Sequence, residues 1–192
     1  MAERLTELII GQAKLSVVLG DITKQSTDGI VNAANPGLMG GGGVDGTIHR
    51  ADGTVILEEC KQIVARQGRL PTGKAVITIG GKLKAKYVIH TVGPVWHGGN
   101  KGEPQLLASA YRESLKMAEI NRLTGVSLPS ISTGAYGYPV AGAAEVAVKT
   151  VASFLKKNPG YLKEAIFVLF DTATHETYRS AIEKLSRQTP TG

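Results

Sequence analysis

Short apolar runs that favour β-strands alternate along this chain with longer segments of helical periodicity. Leu15–Leu19, Ile30–Ala34 and Val126–Ile131 are rich in β-branched or other apolar residues. Segments such as Pro104–Leu123 instead place their apolar residues on one face of a helix. Strands that alternate with helices form a sheet covered by helices on both faces. The pattern therefore predicts an α/β fold, a three-layer α/β/α sandwich.

Two further runs decide the kind of sheet. Ala75–Ile79 and Tyr87–Val92 flank Gly80-Gly81 and a lysine-rich connection, which predicts a β-hairpin and hence a central mixed sheet. Ala165–Phe170 is almost wholly apolar, as expected of a strand buried on both faces. Further helices are expected around Thr54–Arg66, Ala144–Leu155 and Tyr178–Leu185.

Length and composition predict one cytoplasmic domain. The 192 residues contain no linker or repeat, so residues 1–187 are expected to form a single domain and residues 188–192 a frayed C-terminal tail. No apolar run approaches the roughly 20 residues of a membrane helix, and the N-terminus lacks the pattern of a signal peptide. The single cysteine, Cys60, fits a reducing compartment.

The chain is basic, with a formal net charge of +6 and a pI near 9.4. This charge suits a polyanionic partner. The basic residues are scattered, however, and aromatic residues make up only 5% of the chain, which is little for stacking nucleic-acid bases. RNA therefore stays an alternative that charge alone supports, and a phosphorylated small molecule fits the charge equally well.

Glycine, at 24 residues, is concentrated in two segments, Gly37–Gly46 and Gly134–Gly142. Both segments follow a predicted strand and precede a helical pattern. Helix N-termini present free N–H groups, and glycine lets the backbone approach a phosphate closely. Asp21, Asn35 and Asp171 also follow strands, and ligands of open α/β sheets bind at the carboxyl ends of the strands. We therefore expect one site at this edge, with a diphosphate held between two loops.

Two nucleotide-binding motifs are matched only superficially. Gly68–Ala75 nearly fits a P-loop, but Ala75 replaces the Ser or Thr that holds magnesium, and the order of elements is helix, loop, strand. Gly41–Gly46 contains Gly-x-Gly-x-x-Gly, but Glu58 and Glu59 fall inside a helix instead of at the end of the next strand. The first match is therefore rejected as a P-loop, and the second leaves hydride chemistry with a dinucleotide only as an alternative.

Four longer motifs, in order, closely resemble the macrodomain family. They are Ile30-Val-Asn-Ala-Ala-Asn35, Gly40-Gly-Gly-Gly-Val-Asp-Gly-Thr-Ile-His-Arg50, His90-Thr-Val-Gly-Pro94 and Ile131-Ser-Thr-Gly-Ala-Tyr-Gly-Tyr-Pro139. The likeness is strongest to the MacroD-type branch, which includes bacterial O-acetyl-ADP-ribose deacetylases, and it runs from about Leu15 to about Leu185. Asp52 departs from this pattern, since a small residue is expected there.

The resemblance implies an ADP-ribose pocket in a hydrolase that uses neither a metal nor a cofactor. Asp21 would accept a hydrogen bond from the adenine amino group, Ile22 would supply a backbone contact and Phe170 would pack on the adenine face. The two loops would hold the diphosphate and the distal ribose. The substrate-binding residues implied in this way are Asp21, Ile22, Asn32, Gly41, Gly42, Gly43, Val44, Ser132, Thr133, Gly134, Ala135, Tyr136 and Phe170.

Asn35 and Asp45 match the pair on which catalysis depends in this branch. The expected reaction is hydrolysis of acyl esters of ADP-ribose, namely O-acetyl-ADP-ribose and mono-ADP-ribosylated Asp or Glu side chains; ADP-ribosylated proteins are further candidate partners. Asp45, or a phosphate of the substrate, would activate the water. Asn35 would hold the ribose hydroxyls or donate to developing negative charge. The alternative is a non-catalytic ADP-ribose-binding module.

Structural roles also suit several of these residues. Asp45 is a candidate helix cap, Asp21 a candidate turn residue and Phe170 a candidate core aromatic that would stay largely buried even if it stacked on adenine. Asp45 and His49 lie four residues apart, as a metal-binding pair would, but no third ligand follows at a telling spacing. Cys60 is expected to be a core residue, and His90 to be packed and hydrogen-bonded in a strand.

Overall fold

The computed structural model describes residues 6–188, which form one mixed sheet between two layers of helices. The strands are β1 (Glu7–Ile10), β2 (Ala13–Leu19), β3 (Gly29–Ala33), β4 (Ala75–Ile79), β5 (Tyr87–Thr91), β6 (Gly125–Leu128) and β7 (Glu164–Leu169). The helices are α1 (Gly43–Asp52), α2 (Val55–Gln67), α3 (Glu103–Ile120), α4 (Val140–Lys157) and α5 (Thr172–Gln188).

The strands are ordered β1-β2-β7-β6-β3-β5-β4. The five central strands, β2-β7-β6-β3-β5, are parallel to one another. The two edge strands are antiparallel, β1 to β2 and β4 to β5. The hairpin of β4 with β5 confirms that the sheet is mixed, whereas β1 was not predicted.

Neighbouring residues of a strand point to opposite faces of the sheet, and here each face packs into a separate core. In β3, Val31 belongs to the core shared with α3, α4 and α5, whereas Ile30 belongs to the core shared with α1 and α2. In β5, Ile89 and Val88 divide in the same way. The two cores confirm the predicted three-layer sandwich.

Four strands end earlier than predicted, among them β3 and β5, each by one residue, at Ala33 and Thr91. β6 ends at Leu128 because Pro129, which follows it, has no N–H for the ladder. β7 ends at Leu169, so Phe170 lies outside the sheet. Gln188 is the last residue of α5, and residues 189–192 lie outside the described residues, so the frayed tail stays a prediction. Within residues 6–188, no helix combines the length and the apolar character needed to cross a membrane.

Candidate functional site

The carboxyl ends of four adjacent parallel strands bring the predicted site residues to one edge of the sheet. Along the order β2-β7-β6-β3, the segments that follow the strands begin at Gly20, Phe170, Pro129 and Ala34. The backbone joins the first two, since the N–H of Gly20 donates to the carbonyl of Leu169 at 2.9 Å. The predicted convergence on one edge is therefore present in the fold.

Asn35 and Asp45 face the same glycine. A Cβ built on Gly41 would lie 3.3 Å from Asn35 Nδ2 and 3.3 Å from Asp45 Oδ2. The Asn35 amide donates to the carbonyl of Gly40 at 2.8 Å, which ties the end of the glycine run to this side chain. A side chain at position 41 would thus crowd the space between the two predicted catalytic groups.

The Asp45 carboxylate is 5% exposed and has two unlike oxygens. Oδ1 accepts a hydrogen bond from Asn32 Nδ2 at 2.8 Å and lies 3.3 Å from His49 Nε2. Oδ2 is buried and has no hydrogen-bond partner among residues 6–188. One oxygen therefore fixes the carboxylate, and the other is free to accept a proton or a hydrogen bond from a ligand or water.

Asp45 does not cap α1. The N-cap position is Gly42, whose extended backbone carries no side-chain cap, and Asp45 follows in the first turn. The positive end of the helix macrodipole favours a carboxylate there. The alternative interpretation of Asp45 as a cap is wrong, because its bonded oxygen is turned toward β3.

A buried polar layer lies directly beneath Asp45. Asn32 and His90 are both 0% exposed, and Asn32 Nδ2 lies 3.1 Å from His90 Nδ1. Burial and, to a smaller extent, His49 lower the pKa of His90 from 6.5 to about 4, while Asp45 opposes the shift. His90 is therefore a neutral, hydrogen-bonded residue at pH 7, as predicted from its place in a strand.

The loop after β6 is the second predicted phosphate loop. Ser132 adopts a left-handed backbone conformation with φ of 68°, which non-glycine residues rarely do, and strain of this kind clusters at ligand sites. Its buried Oγ has no hydrogen-bond partner among the described residues. The turn closes through Gly137 N, which donates to the carbonyl of Gly134 at 3.0 Å. The backbone of this loop is thus fixed by its own hydrogen bond, whereas the buried Ser132 hydroxyl still lacks a partner.

Tyrosines of the helical layer hold this loop from below. The N–H of Ile131 donates to the Tyr111 hydroxyl at 3.0 Å, and that hydroxyl donates to the carbonyl of Pro129 at 2.8 Å. The Tyr178 hydroxyl donates to Ser130 Oγ at 2.8 Å. Tyr111 and Tyr178 belong to α3 and α5, so the packing of these helices sets the position of the loop.

Membership of a family is decided by sequence. Residues 31–147 match the model of the Macro domain. The chain belongs to the macrodomain family. It is 57% identical over 164 residues to the O-acetyl-ADP-ribose deacetylase of Klebsiella pneumoniae strain 342, covering 85% of this chain and 93% of that protein. It is 53% identical over 167 residues to the Escherichia coli K12 protein of the same name, covering 87% and 94%.

The solved structures agree with the sequence match. The Oceanobacillus iheyensis macrodomain with ADP superposes with a TM-score of 0.90 at 40% identity, covering 95% of this chain and 97% of that chain. The resemblance of the motifs to macrodomains is therefore confirmed, as is the fold.

At the other end of the site edge, this macrodomain presents Asp21 and Phe170. Asp21 is exposed and caps the 3-10 helix Ile22–Lys24, and its Oδ1 accepts from both the N–H and the hydroxyl of Thr23, at 2.9 and 2.7 Å. The structural role of Asp21 is thus confirmed. Phe170 is 86% exposed, so its interpretation as a largely buried core aromatic is wrong. The physical reason is that β7 ends one residue earlier.

The remaining residues noted in the sequence are a lone cysteine, a candidate metal-binding pair and Asp52. Cys60 is 0% exposed, and burial, with the nearby charge of Asp45, raises the pKa of its thiol to about 12, so it is an inert core residue. No third His, Cys, Asp or Glu joins Asp45 and His49 within residues 6–188 in a group that would hold a metal ion. Asp52 is buried and accepts hydrogen bonds from the N–H groups of Ile56 and Lys82, which fixes the start of α2.

Two depressions of the surface lie away from this edge. One, of about 350 Å³, lies between α4 and α5, and the other, of about 410 Å³, lies at the amino ends of the strands beside Asp28 and Lys163. Neither includes a predicted site residue. The candidate site is therefore defined by the backbone loops and by the buried unpartnered atoms Asp45 Oδ2 and Ser132 Oγ.

Sequence reasoning missed the supporting residues. It treated Asn32 as one of several substrate contacts, whereas the structure places it under Asp45, and it gave Tyr178 only a helical position. The sequence offers one signal: Asn32 is a polar residue that directly follows the apolar residues Ile30 and Val31 in the same strand. A buried amide needs hydrogen-bond partners, but the sequence does not say which.

Proposed function

We propose that this macrodomain binds ADP-ribose and hydrolyses acyl esters of ADP-ribose by attack of water, without a metal. The observation that carries the proposal is the buried Asp45 carboxylate, whose unpartnered Oδ2 faces Gly41 together with the Asn35 amide. Relatives at 57% and 53% identity are O-acetyl-ADP-ribose deacetylases. The proposed substrates are O-acetyl-ADP-ribose and Asp or Glu side chains that carry a single ADP-ribose, on proteins.

The order of the site segments supports ADP-ribose as the ligand. Along β2-β7-β6-β3 the edge presents first Asp21 and Ile22, then Phe170, then the Ser132–Tyr136 loop, and last Asn35 with Asp45. ADP-ribose carries its groups in the same order: adenine, diphosphate, distal ribose. Adenine would lie on Phe170 with its amino group on Asp21, which would leave the distal ribose between Asn35 and Asp45.

The diphosphate would lie between the two glycine-rich loops. The backbone of Gly41, Gly42 and Gly43 leads into the N-terminus of α1, where free N–H groups and the macrodipole favour an anion. Gly42 and Gly43 have open space where a Cβ would be, so a phosphate can approach their backbone closely. Val44 is half-buried beside them. The Ser132–Tyr136 loop, with Thr133, Gly134 and Ala135, would close the other side.

Hydrolysis then needs a water held against the ester. Asp45 Oδ2 accepts one hydrogen bond from that water. This hydrogen bond orients the water so that a lone pair of the water oxygen points toward the acyl carbon. The water oxygen bonds to this carbon, and the bond from the carbon to the ribose oxygen breaks. The proton of the water passes to the ribose oxygen, through Asp45 or through the substrate phosphate. The Asn35 amide donates to negative charge as it develops.

The test is release of ADP-ribose from a peptide mono-ADP-ribosylated on glutamate, and of acetate from O-acetyl-ADP-ribose, with no metal added. We expect turnover by the wild type and a loss of about 100-fold or more in kcat for Asp45→Ala and Asn35→Ala. Affinity for ADP-ribose, measured by calorimetry, should change much less. Asp28→Asn, which alters a carboxylate at the opposite edge of the sheet, is the control.

The isosteric variant Asp45→Asn separates the two routes for the proton. If Asp45 receives it, Asp45→Asn should be as inactive as Asp45→Ala. If the phosphate receives it, Asp45→Asn should keep more activity, because its side chain still hydrogen-bonds the water. Tight binding of ADP-ribose with no release of either product by the wild type would refute the hydrolase and leave a binding module.

A further inference from the structure

The carboxylate of Asp45 is connected to the edge strand β4 by a continuous chain of buried hydrogen bonds. Asn32 Nδ2 lies 2.8 Å from Asp45 Oδ1 and 3.1 Å from His90 Nδ1. On the far side of the ring, His90 Nε2 lies 2.9 Å from Thr78 Oγ1. The Thr78 hydroxyl in turn donates to the carbonyl of Ile79 at 3.1 Å. Residues from four separate segments thus form one linear arrangement.

The chemistry of the groups fixes the direction of every bond. An ionised carboxylate only accepts, so the amide of Asn32 must present its NH₂ to Asp45. The second hydrogen of this NH₂ points to His90 Nδ1, which must therefore be the unprotonated nitrogen. A neutral imidazole then carries its proton on Nε2 and donates it to Thr78. Thr78 is left to donate to the carbonyl of Ile79, as it does.

The reverse tautomer does not fit this arrangement. A proton on His90 Nδ1 would face the NH₂ of Asn32 at 3.1 Å, so two donors would meet in a buried place. Rotating the amide would relieve that contact but set Asn32 Oδ1 against Asp45 Oδ1 at 2.8 Å. The other polar neighbours of the ring do not change the outcome. Cys60 Sγ is 4.0 Å from Nε2, and the ring centre of His49 is 6.5 Å away.

We infer that His90 and Thr78 are positioning residues for the reaction at Asp45, an inference that rests on the proposed hydrolase function. Asp45 and Asn32 set the tautomer of His90. Thr78 accepts the proton of His90 Nε2 and so holds the ring in place, and the ring in turn keeps the Asn32 amide against Asp45 Oδ1. The carboxylate can then present only Oδ2 to the water. Neither His90 nor Thr78 touches the substrate, and both are buried, with exposed fractions of 0% and 3%.

The first measurement is the tautomer of His90 in the wild type, read from its ring nitrogens by ¹⁵N-correlated NMR. We expect a protonated Nε2 and an unprotonated Nδ1. The second measurement compares Thr78→Val, which removes the hydroxyl, with Thr78→Ser, which keeps it. Thr78→Val should lower kcat by about ten- to a hundredfold, because a small displacement of a reacting group has effects of this size. Thr78→Ser should keep most of the activity.

A merely structural role would not give this pattern. KM and the dissociation constant of ADP-ribose should stay near wild-type values in Thr78→Val. Its His90 should keep a protonated Nε2 in a folded protein, with a shifted Nε2 resonance because the hydroxyl that accepts this proton is gone. A protonated Nδ1 in the wild type, or equal kcat values for the two Thr78 variants, would overturn the inference. If the wild type released no ADP-ribose, the hydrolase proposal would fail. The ¹⁵N spectrum would still show whether the hydrogen bonds between Asp45 and Thr78 run in the inferred direction.

Discussion

Replacing Gly46 by alanine should damage the site although the change favours the helix. Gly46 lies in the first turn of α1, and a Cβ there would be 2.2 Å from the carbonyl oxygen of Gly41 and 2.9 Å from Arg50 Nη1. The Arg50 side chain is flexible and can turn away. Ordinary contact begins at 3.4 Å, so the Gly41 backbone must move by the difference, 3.4 − 2.2 = 1.2 Å.

A movement of this size separates Gly41 from the groups it faces. The Asn35 amide and Asp45 Oδ2 lie 3.3 Å from the Cβ position of Gly41, so the glycine loop would shift relative to both. We expect kcat for release of ADP-ribose to fall by about 100-fold, because misplacements near 1 Å have effects of this order. The affinity for ADP-ribose, measured by calorimetry, should fall as well. The helix propensity of alanine, worth about 1 kcal/mol, would be offset by the contact with Gly41.

Gly142→Ala is the matched control. Gly142 lies in the first turn of α4, and its Cβ would meet only Tyr138 Cε1 at 3.6 Å, which is an ordinary contact. This variant should raise the free energy of unfolding by about 0.5–1 kcal/mol and leave the activity unchanged. If Gly46→Ala were stabilised and fully active like Gly142→Ala, the reasoning from the Gly41 contact would be refuted.

Two further predictions concern Phe170 and His90. Phe170→Ala should raise the dissociation constant of ADP-ribose by about tenfold, since stacking on a base is worth about 1–3 kcal/mol, and should leave the melting temperature nearly unchanged because the ring is 86% exposed. A large loss of stability with unchanged affinity would contradict it. Burial lowers the pKa of His90 from 6.5 to about 4, so the unfolded chain binds the extra proton first and stability falls as the pH drops from about 6.5 to 4. This difference corresponds to about 3 kcal/mol, measurable by urea unfolding at pH 7 and pH 4. His90→Asn, which cannot take up the proton, should show a smaller loss; equal losses would contradict the assignment.

Features that depend on local sequence were predicted well. Every strand of the parallel part was found because each is a short run rich in apolar or β-branched residues, and the motif around Gly40–Arg50 located the glycine loop. β1 was missed because it has only four residues, beginning at Glu7, and so short a segment carries little sequence pattern. Phe170 was misjudged by a single position, since an apolar run does not show where hydrogen bonding to the next strand stops.

Features that depend on contacts between distant residues were not predicted. The chain of hydrogen bonds from Asp45 joins positions 32, 90 and 78, and no spacing in the sequence brings these together. Asp52, noted only as a departure from the family, is the buried acceptor that fixes the start of α2 and the turn at Lys82. Such roles follow from the tertiary fold, because burial decides which polar groups must find partners.

The two loops proposed to bind phosphate are supported by different halves of the molecule. The glycine loop leads into α1 on one face of the sheet, whereas Tyr111 and Tyr178 hold the other loop from the opposite face. A diphosphate between them would act as a clamp across the sheet, so separating the two layers would also break the ligand contacts. At a ligand concentration of 100 times Kd, such coupling adds about 2.7 kcal/mol to stability. Thermal melting of the intact protein would then serve as a direct screen for ligands and inhibitors.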